Sequence, residues 1–540
     1  MQSTIKRLQE SGSATDICGL RGSSTPLFLA RTVELLDRSV CSILPSEELL
    51  EILAQDIPLF TDVEVLVYPS FEIPPYTPPS PVPATVGLRL ATLHRLLNLS
   101  GPCIILTSIE ALLRRILPKS VLGRRSELVI QGEEIDREEL IKSLVDSGYD
   151  LCSMVQHEGD LAVRGSIVDI FAPASHPSII GPIRLDFFGD TVESIRIIDP
   201  VSQRSLSEIE EAVLLPASDI LFPSVSNQAE WQRYLSAKAE KYSWPEEDSD
   251  YLQTRLSDHV RFTGIEFSLP LVYEPFQQVQ TLFDYLPDKT VLAFHEPDEI
   301  LNQAGILWDR IEANYKEAYS KDLAVLPPLE LFLDKLEIDT RADKNTRINF
   351  RSLPDPESSG KCITLNMGDH TLLSQELEIH RKNRGNLAPL ADRLLSWRNK
   401  GETTLLTCRS KRQAEHLREI LAGYQIHAAT LTPPLNLEKI PQDQQLYLIE
   451  HKLSKGFDLL DERIHILSAA ELFGEKRLRA DKPKRTGPEE GMALLVEDLN
   501  PGDIVVHRDH GLGRFMGLFN MEFVGHRGDF MQIEYRDSDK

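Results

Sequence analysis

Between residues 161 and 206 the sequence LAVRGSIVDIFAPASHPSIIGPIRLDFFGDTVESIRIIDPVSQRSL leaves few folds open. Ile183, Leu185 and Phe187 alternate with Arg184, Asp186 and Phe188, a period of two that sends one set to a core and the other to solvent. Gly189 and Asp190 supply turn chemistry, and Thr191 to Ile198 reads as a returning strand whose Ile195 and Ile197 rejoin the core. The pattern predicts a β-hairpin with Arg184 and Phe188 on one outer face. Arginine and aromatic side chains often anchor interfaces, since each desolvates a large area at modest entropy cost. Arg164, in an earlier strand-like run, is placed to join them. The plainer alternative is a capped hairpin edge, with Arg184 paired to Asp186 or Asp190 in a solvated cluster.

At 540 residues the chain has material for three or four domains. Its formal charge of -25 argues against a body that grips nucleic acid by general electrostatics, because phosphate binding needs clustered Lys and Arg. Cys18, Cys41, Cys103, Cys152, Cys362 and Cys408 are scattered without a C-x-x-C pair, so neither a zinc knuckle nor a disulfide framework is expected. No apolar run reaches the ~18 residues of a membrane span, and the opening MQSTIKRLQESGSA lacks the apolar core of a secretory signal. A cytoplasmic protein without a membrane partner is the expectation.

Residues 17 to 120 alternate apolar runs, Val65 to Tyr68 and Cys103 to Thr107, with helical spacing at Ser46 to Asp56 and Leu88 to Leu97. That alternation predicts an α/β layer domain. Near its start, Gly19-Leu20-Arg21-Gly22-Ser23-Ser24-Thr25-Pro26 has the layout of a phosphate loop. A working loop ends Gly-Lys-Ser/Thr, where Lys reaches the β and γ phosphates and the hydroxyl holds magnesium. Thr25 stands in the lysine position and Pro26 in the hydroxyl position, so the loop Gly19, Gly22, Thr25, Pro26 is expected to be degenerate. Val291 to Pro297 reads as a buried strand with His295 where an ATPase would place its Asp. The acidic run Glu246 to Asp250 reads as a solvated loop.

Farther on, TTLLTCRSKRQAEHLREILAGYQIHAATL predicts strand, helix, strand, with His416 on the helix surface and Cys408 in the core. Lys476, Arg477, Arg479, Lys482, Lys484 and Arg485, interspersed with Pro and Gly, suggest a basic tether. The last fifty residues place short β runs (504 to 507, 514 to 521, 530 to 535) between glycines, the pattern of a small bent barrel. His507, Arg508, Asp509 and His510 lie too close together to chelate a metal without a further ligand.

RGSIVDIFAP with RLDFFGDTVESIRIIDPVSQRS, the segment YPSFEIPPYTPPSPVPATVGLRLATLHRLL, and PGDIVVHRDHGLGRFMGL near the end all resemble the bacterial transcription-repair coupling factors. Their first domains are similar to UvrB, and their polymerase-interacting domain is shared with CarD-type transcription factors. The resemblance implies an α/β multidomain chain: a degenerate P-loop-type, UvrB-like domain over 1–120 and 209–335, and an inserted UvrA-binding domain over 121–208. A small α/β domain would cover 336–468, a basic linker 469–490, and an RNA-polymerase-interacting, Tudor-like barrel 491–540.

In the family the UvrA contact uses two arginines and a phenylalanine, whose motif positions match Arg164, Arg184 and Phe188. The RNA polymerase β subunit is met along a strand edge, here Phe519, Asn520, Met521, Glu522 and Phe523, with Met521 at the principal apolar position. The short Pro-rich link at Pro74 to Pro83 stands where UvrB carries its DNA-clamping hairpin. A barrel of this type needs a further strand after Lys540, so the chain is expected to be part of a longer one. In the family, that remainder would carry the ATP-driven double-stranded-DNA translocase. ATP and magnesium would bind there, and no cofactor or catalytic residue is expected here. The competing expectation is a UvrB-like DNA-binding ATPase of excision repair.

Overall fold

The computed structural model describes residues 1, 4–6, 14–77, 80–173, 181–222, 228–274, 276–354, 361–383, 387–440, 446–473, 504–507, 511–523 and 526–534. They fall into two compact units, Met1–Gly474 and Glu475–Lys540.

The first unit is built on a seven-stranded parallel sheet. Its order is Lys361–Thr364, Thr15–Cys18, Arg347–Arg351, Val291–His295, Val40–Leu44, Ile104–Ser108, Val65–Tyr68. Most residues of these strands are buried because both faces of the sheet are covered. Cys41 and Ile43 join one core with helix Pro83–Leu97, while Val40 and Leu44 join another with helix Ser24–Leu36. Helix Glu47–Asp56 starts at Ser46, whose hydroxyl caps it by accepting from Leu49 N at 3.3 Å.

Strands at Arg347–Arg351 and Lys361–Thr364 flank Thr15–Cys18, so this sheet draws on residues beyond 335 and the boundary expected at 335/336 falls too early. The run NFRSL resembles the strands after it as much as those before, and only pairing assigns it. The next sheet begins at Met367–Gly368. It has six strands in the order Met367–Gly368, Phe457–Leu459, Ile464–Ser468, Thr403–Cys408, Leu446–Glu450, Ala429–Leu431. His416 is exposed and Cys408 buried.

One face of this sheet packs against helices Ala388–Asn399 and Lys411–Ala422. Its other face meets the first sheet's layer, where Leu27, Ala30, Leu59 and Phe60 share one core with Leu405, Tyr447, Phe457 and Ile466. Helix Ser24–Leu36 is therefore buried on two sides.

The inserted region leaves and returns through an antiparallel pair, Glu127–Ile130 beside Glu211–Leu214. That pairing holds the two ends of the insertion together, as an inserted domain requires. It also moves the expected 121–208 limits to about 127–214, because Leu122 belongs to the core of the first domain and Leu214 to that of the insertion. Inside lies a six-stranded sheet in the order Ser205–Ile209, Thr191–Ile198, Ile183–Phe188, Ile167–Ile170, Asp160–Arg164, Asp150–Cys152. Helix Arg137–Asp146 supplies Leu140 and Leu144 to its core.

The acidic run at 246–250 is not a loop. It opens helix Glu246–Ser257, whose first turn holds Glu246, Glu247 and Asp248. Carboxylates are favoured there by the unpaired N–H groups and the helix dipole, which offsets their mutual repulsion.

The second unit's described residues form a three-stranded antiparallel sheet, Ile504–His507, Gly511–Phe523 and His526–Glu534, with a bulge between Phe515 and Gly517. The central strand is a single run of thirteen residues, longer than its glycines suggested. The basic segment from Lys476 to Arg485 lies outside the described residues, as do Arg508, Asp509 and His510. Among the described residues no helix is long and apolar enough to cross a membrane.

Candidate partner-binding faces

The hairpin Ile183–Phe188 and Thr191–Ile198 turns through Gly189, whose φ of +62° is the left-handed conformation that glycine takes without strain. Ile183, Leu185, Phe187, Ile195 and Ile197 are buried, as their alternation predicted. Arg184, Asp186 and Phe188 occupy the other face, and Phe188 is 76% exposed. A large ring so far out of the core has little intramolecular role.

Arg184 does not pair with Asp186 or Asp190. Its Nε donates to Asp169 Oδ1 at 2.6 Å and its second terminal nitrogen to Asp169 Oδ2 at 2.9 Å, a two-pronged ion pair. Arg164 donates to the same carboxylate. Asp169 is wholly buried at the middle of strand Ile167–Ile170, opposite Arg184 in register and opposite Ala162 on the far side. The bond to Asp169 raises the pKa of Arg184 above its ordinary value, against a smaller lowering by desolvation. Arg184 also donates to Gln203 O at 3.4 Å. Asp186 accepts instead from Ser166 Oγ at 3.1 Å. The three predicted residues thus share one sheet face, and Asp169, which sequence reasoning missed, organises two of them. Its signal was present: an Asp within the apolar run Ile167, Val168, Ile170 needs a buried cation.

At the other predicted site, residues 19–26 connect strand Thr15–Cys18 to helix Ser24–Leu36. Thr25 and Pro26 fall in the helix's first turn. Several of the loop's polar groups are already engaged. Arg21 N donates to Ser24 Oγ at 2.8 Å and Ser23 N to Lys455 O at 3.2 Å. Ser23 Oγ donates to Asp56 Oδ2 at 2.6 Å, and Ser454 donates both its N–H, at 2.9 Å, and its hydroxyl to the same buried carboxylate. Backbone closes over the loop's glycines. A Cβ on Gly22 would lie 2.1 Å from Gly456 O, and one on Gly19 2.2 Å from Leu365 O. His295 turns inward, its Nε2 2.5 Å from Ser42 Oγ and its ring edge-on to Phe350. Burial lowers its pKa to about 3.

In the second unit, Phe519, Asn520, Met521, Glu522 and Phe523 pair along one edge with Phe530, Asp529, Gly528, Arg527 and His526. Strand Ile504–His507 covers only Gly511 to Arg514 on the other edge. Among the described residues the rest of that edge carries no strand, the backbone arrangement that strand addition uses.

A family model of the UvrB interaction domain matches residues 129–220, and one of the CarD-like/TRCF RID domain matches residues 499–540. The class is therefore a mixed α/β multidomain chain that joins these two modules. Its similarity in sequence extends well beyond them. The transcription-repair-coupling factor of Myxococcus xanthus is 30% identical over 97% of this chain and 44% of its own length. Those of Escherichia coli (strain K12) and Bacillus subtilis (strain 168) are 26% and 25% identical over 96% and 100% of the chain, and 43% and 45% of their own lengths. The chain is thus similar over nearly its whole length to transcription-repair-coupling factors, and it spans less than half the length of the curated relatives it matches.

Proposed function

We propose that this chain is the recruiting portion of a transcription-repair coupling factor. It links RNA polymerase stalled at a DNA lesion to excision repair. Arg164, Arg184 and Phe188 form the contact for UvrA, and residues 519–523 meet the polymerase β subunit along the strand edge. The observation that carries the reading is the outer face of the inserted sheet. There, two arginines converge on one buried carboxylate beside an exposed phenylalanine, within the segment matched by the UvrB interaction domain.

The same reading takes residues 19–26 as a degenerate nucleotide loop that holds neither ATP nor magnesium. Thr25 and Pro26 replace the lysine and the metal-binding hydroxyl, and Lys455 takes a loop N–H that a phosphate would need. ATP-driven translocation on double-stranded DNA, with its ATP and magnesium, belongs to the further length that the relatives possess. The second unit's sheet is one part of a CarD-like barrel. The setting is the cytoplasm, where polymerase and repair enzymes meet.

Titration calorimetry with UvrA tests the central claim. The parent chain should bind, and Phe188→Ala should weaken association by about 2 kcal/mol while remaining folded, as interface anchors do. Equal affinity would remove Phe188 from the interface. For the polymerase, Met521→Asp should abolish capture of the β subunit, and undiminished capture would place the contact elsewhere. Tight binding of a labelled ATP analogue would favour the UvrB-like ATPase instead.

A further inference from the structure

We infer that Asp169 is the positioning residue of the UvrA-binding face, an inference that rests on the function proposed above. Its strand lies between those of Arg164 and Arg184, and its two oxygens take three guanidinium N–H bonds. Two consequences follow from elementary electrostatics and entropy. Two cations facing one another across a strand would repel, and the carboxylate between them lets both remain at the same spot with a net charge of one. Each arginine would otherwise be free among many rotamers and would lose that freedom on binding. Asp169 meets this cost during folding.

The burial of the three groups fits a division of labour. Asp169 is 0% exposed, the Arg184 side chain 16% and that of Arg164 47%. The carboxylate is a support that a partner does not reach, Arg184 is held rigidly, and Arg164 presents the outer guanidinium. A partner surface with carboxylates or carbonyl oxygens in a fixed spacing suits such a pair. A diffuse acidic surface would gain little from the fixed geometry.

Asp169→Asn gives positioning and simple charge attraction opposite signs. The change removes a negative charge from the face, so if the arginines act only by their field, affinity for an acidic partner rises. If Asp169 acts by holding them, affinity falls despite the added positive charge. The measurement is calorimetric titration of UvrA into the intact chain and its Asp169→Asn and Asp186→Asn variants, with a thermal melt of each. Asp169→Asn should weaken binding about tenfold or more, and the loss should persist at about 0.5 M salt, where surface fields are screened. Asp186→Asn makes the same charge change on the same face, at a carboxylate that bonds Ser166 rather than the arginines. It should stay within about twofold of the parent.

An Asp169→Asn variant that binds as tightly as the parent, or more tightly, overturns the positioning role and leaves the UvrA reading standing. A parent chain that does not bind UvrA overturns both. Should Asp169→Asn fail to fold, Asp169→Asn with Arg164→Gln, which relieves the unpaired charge, is compared with Arg164→Gln alone. A further loss supports the role and equal binding overturns it.

Discussion

His295 ends an apolar strand with its imidazole out of water, and that burial makes a pH prediction. Its folded-state pKa of about 3 lies below the ordinary histidine value. As pH falls below about 6.5 the unfolded chain takes up a proton that the folded one refuses, and stability drops by about 1.4 kcal/mol per pH unit. Urea denaturation between pH 7 and 5 should show a shallower decline for His295→Gln than for the parent. Parallel declines would mean that the histidine titrates freely.

Phe188 and Leu185 make the opposite comparison on one strand. Leu185→Ala should cost about 2–5 kcal/mol of stability because it opens a cavity, while Phe188→Ala stays within about 0.5 kcal/mol, both read from thermal melts. The period-two pattern made this division legible, since alternation alone fixes which face each side chain takes. It could not reveal Arg184's partner. Sequence proximity suggested Asp186 or Asp190, whereas strand register brings Asp169 across from fifteen residues away.

At the scale of elements, the Asp56 carboxylate bonds both the loop at 19–26 and the residues around Ser454. Asp56→Ala would leave the hydroxyls of Ser23 and Ser454 and the N–H of Ser454 without their acceptor. The expected loss is about 3 kcal/mol, because bonds to a charged acceptor are worth more than neutral ones. A melting temperature unchanged from the parent's would show that the carboxylate is not needed. Gly22→Ala should be comparably damaging, since the new Cβ meets backbone at 2.1 Å and φ there is +51°.

Neither contact was foreseen. The sequence of residues 19–26 can be compared with a phosphate-loop motif, but a loop sequence does not say what packs on it. The acidic helix at 246–257 was missed for a related reason. A run of like charges suggests a solvated loop until helix N–H groups and the dipole are included.

For the whole molecule, the charge of -25 and the division into two units frame the remaining prediction. The face proposed for UvrA lies in Met1–Gly474 and the strand edge proposed for the polymerase in Glu475–Lys540. Removal of residues 475–540 should therefore leave UvrA affinity unchanged and abolish capture of the polymerase β subunit. A loss of both would show that the two functions are not separable.

The sequence by itself determined the α/β class and the hairpin with its buried and exposed faces. These follow from local periodicity and from the chemistry of single side chains. It also carried the family resemblance, which is written in motif order along the chain. The tertiary structure alone decided where the domains divide. Strands at Arg347–Arg351 and Lys361–Thr364 join a sheet begun over three hundred residues earlier, and backbone hydrogen bonding takes no account of distance along the chain. It alone also decided that Asp169 and Asp56 are the acids on which their surroundings converge. A buried carboxylate is tolerable only where several donors meet it, and such meetings are made by folding.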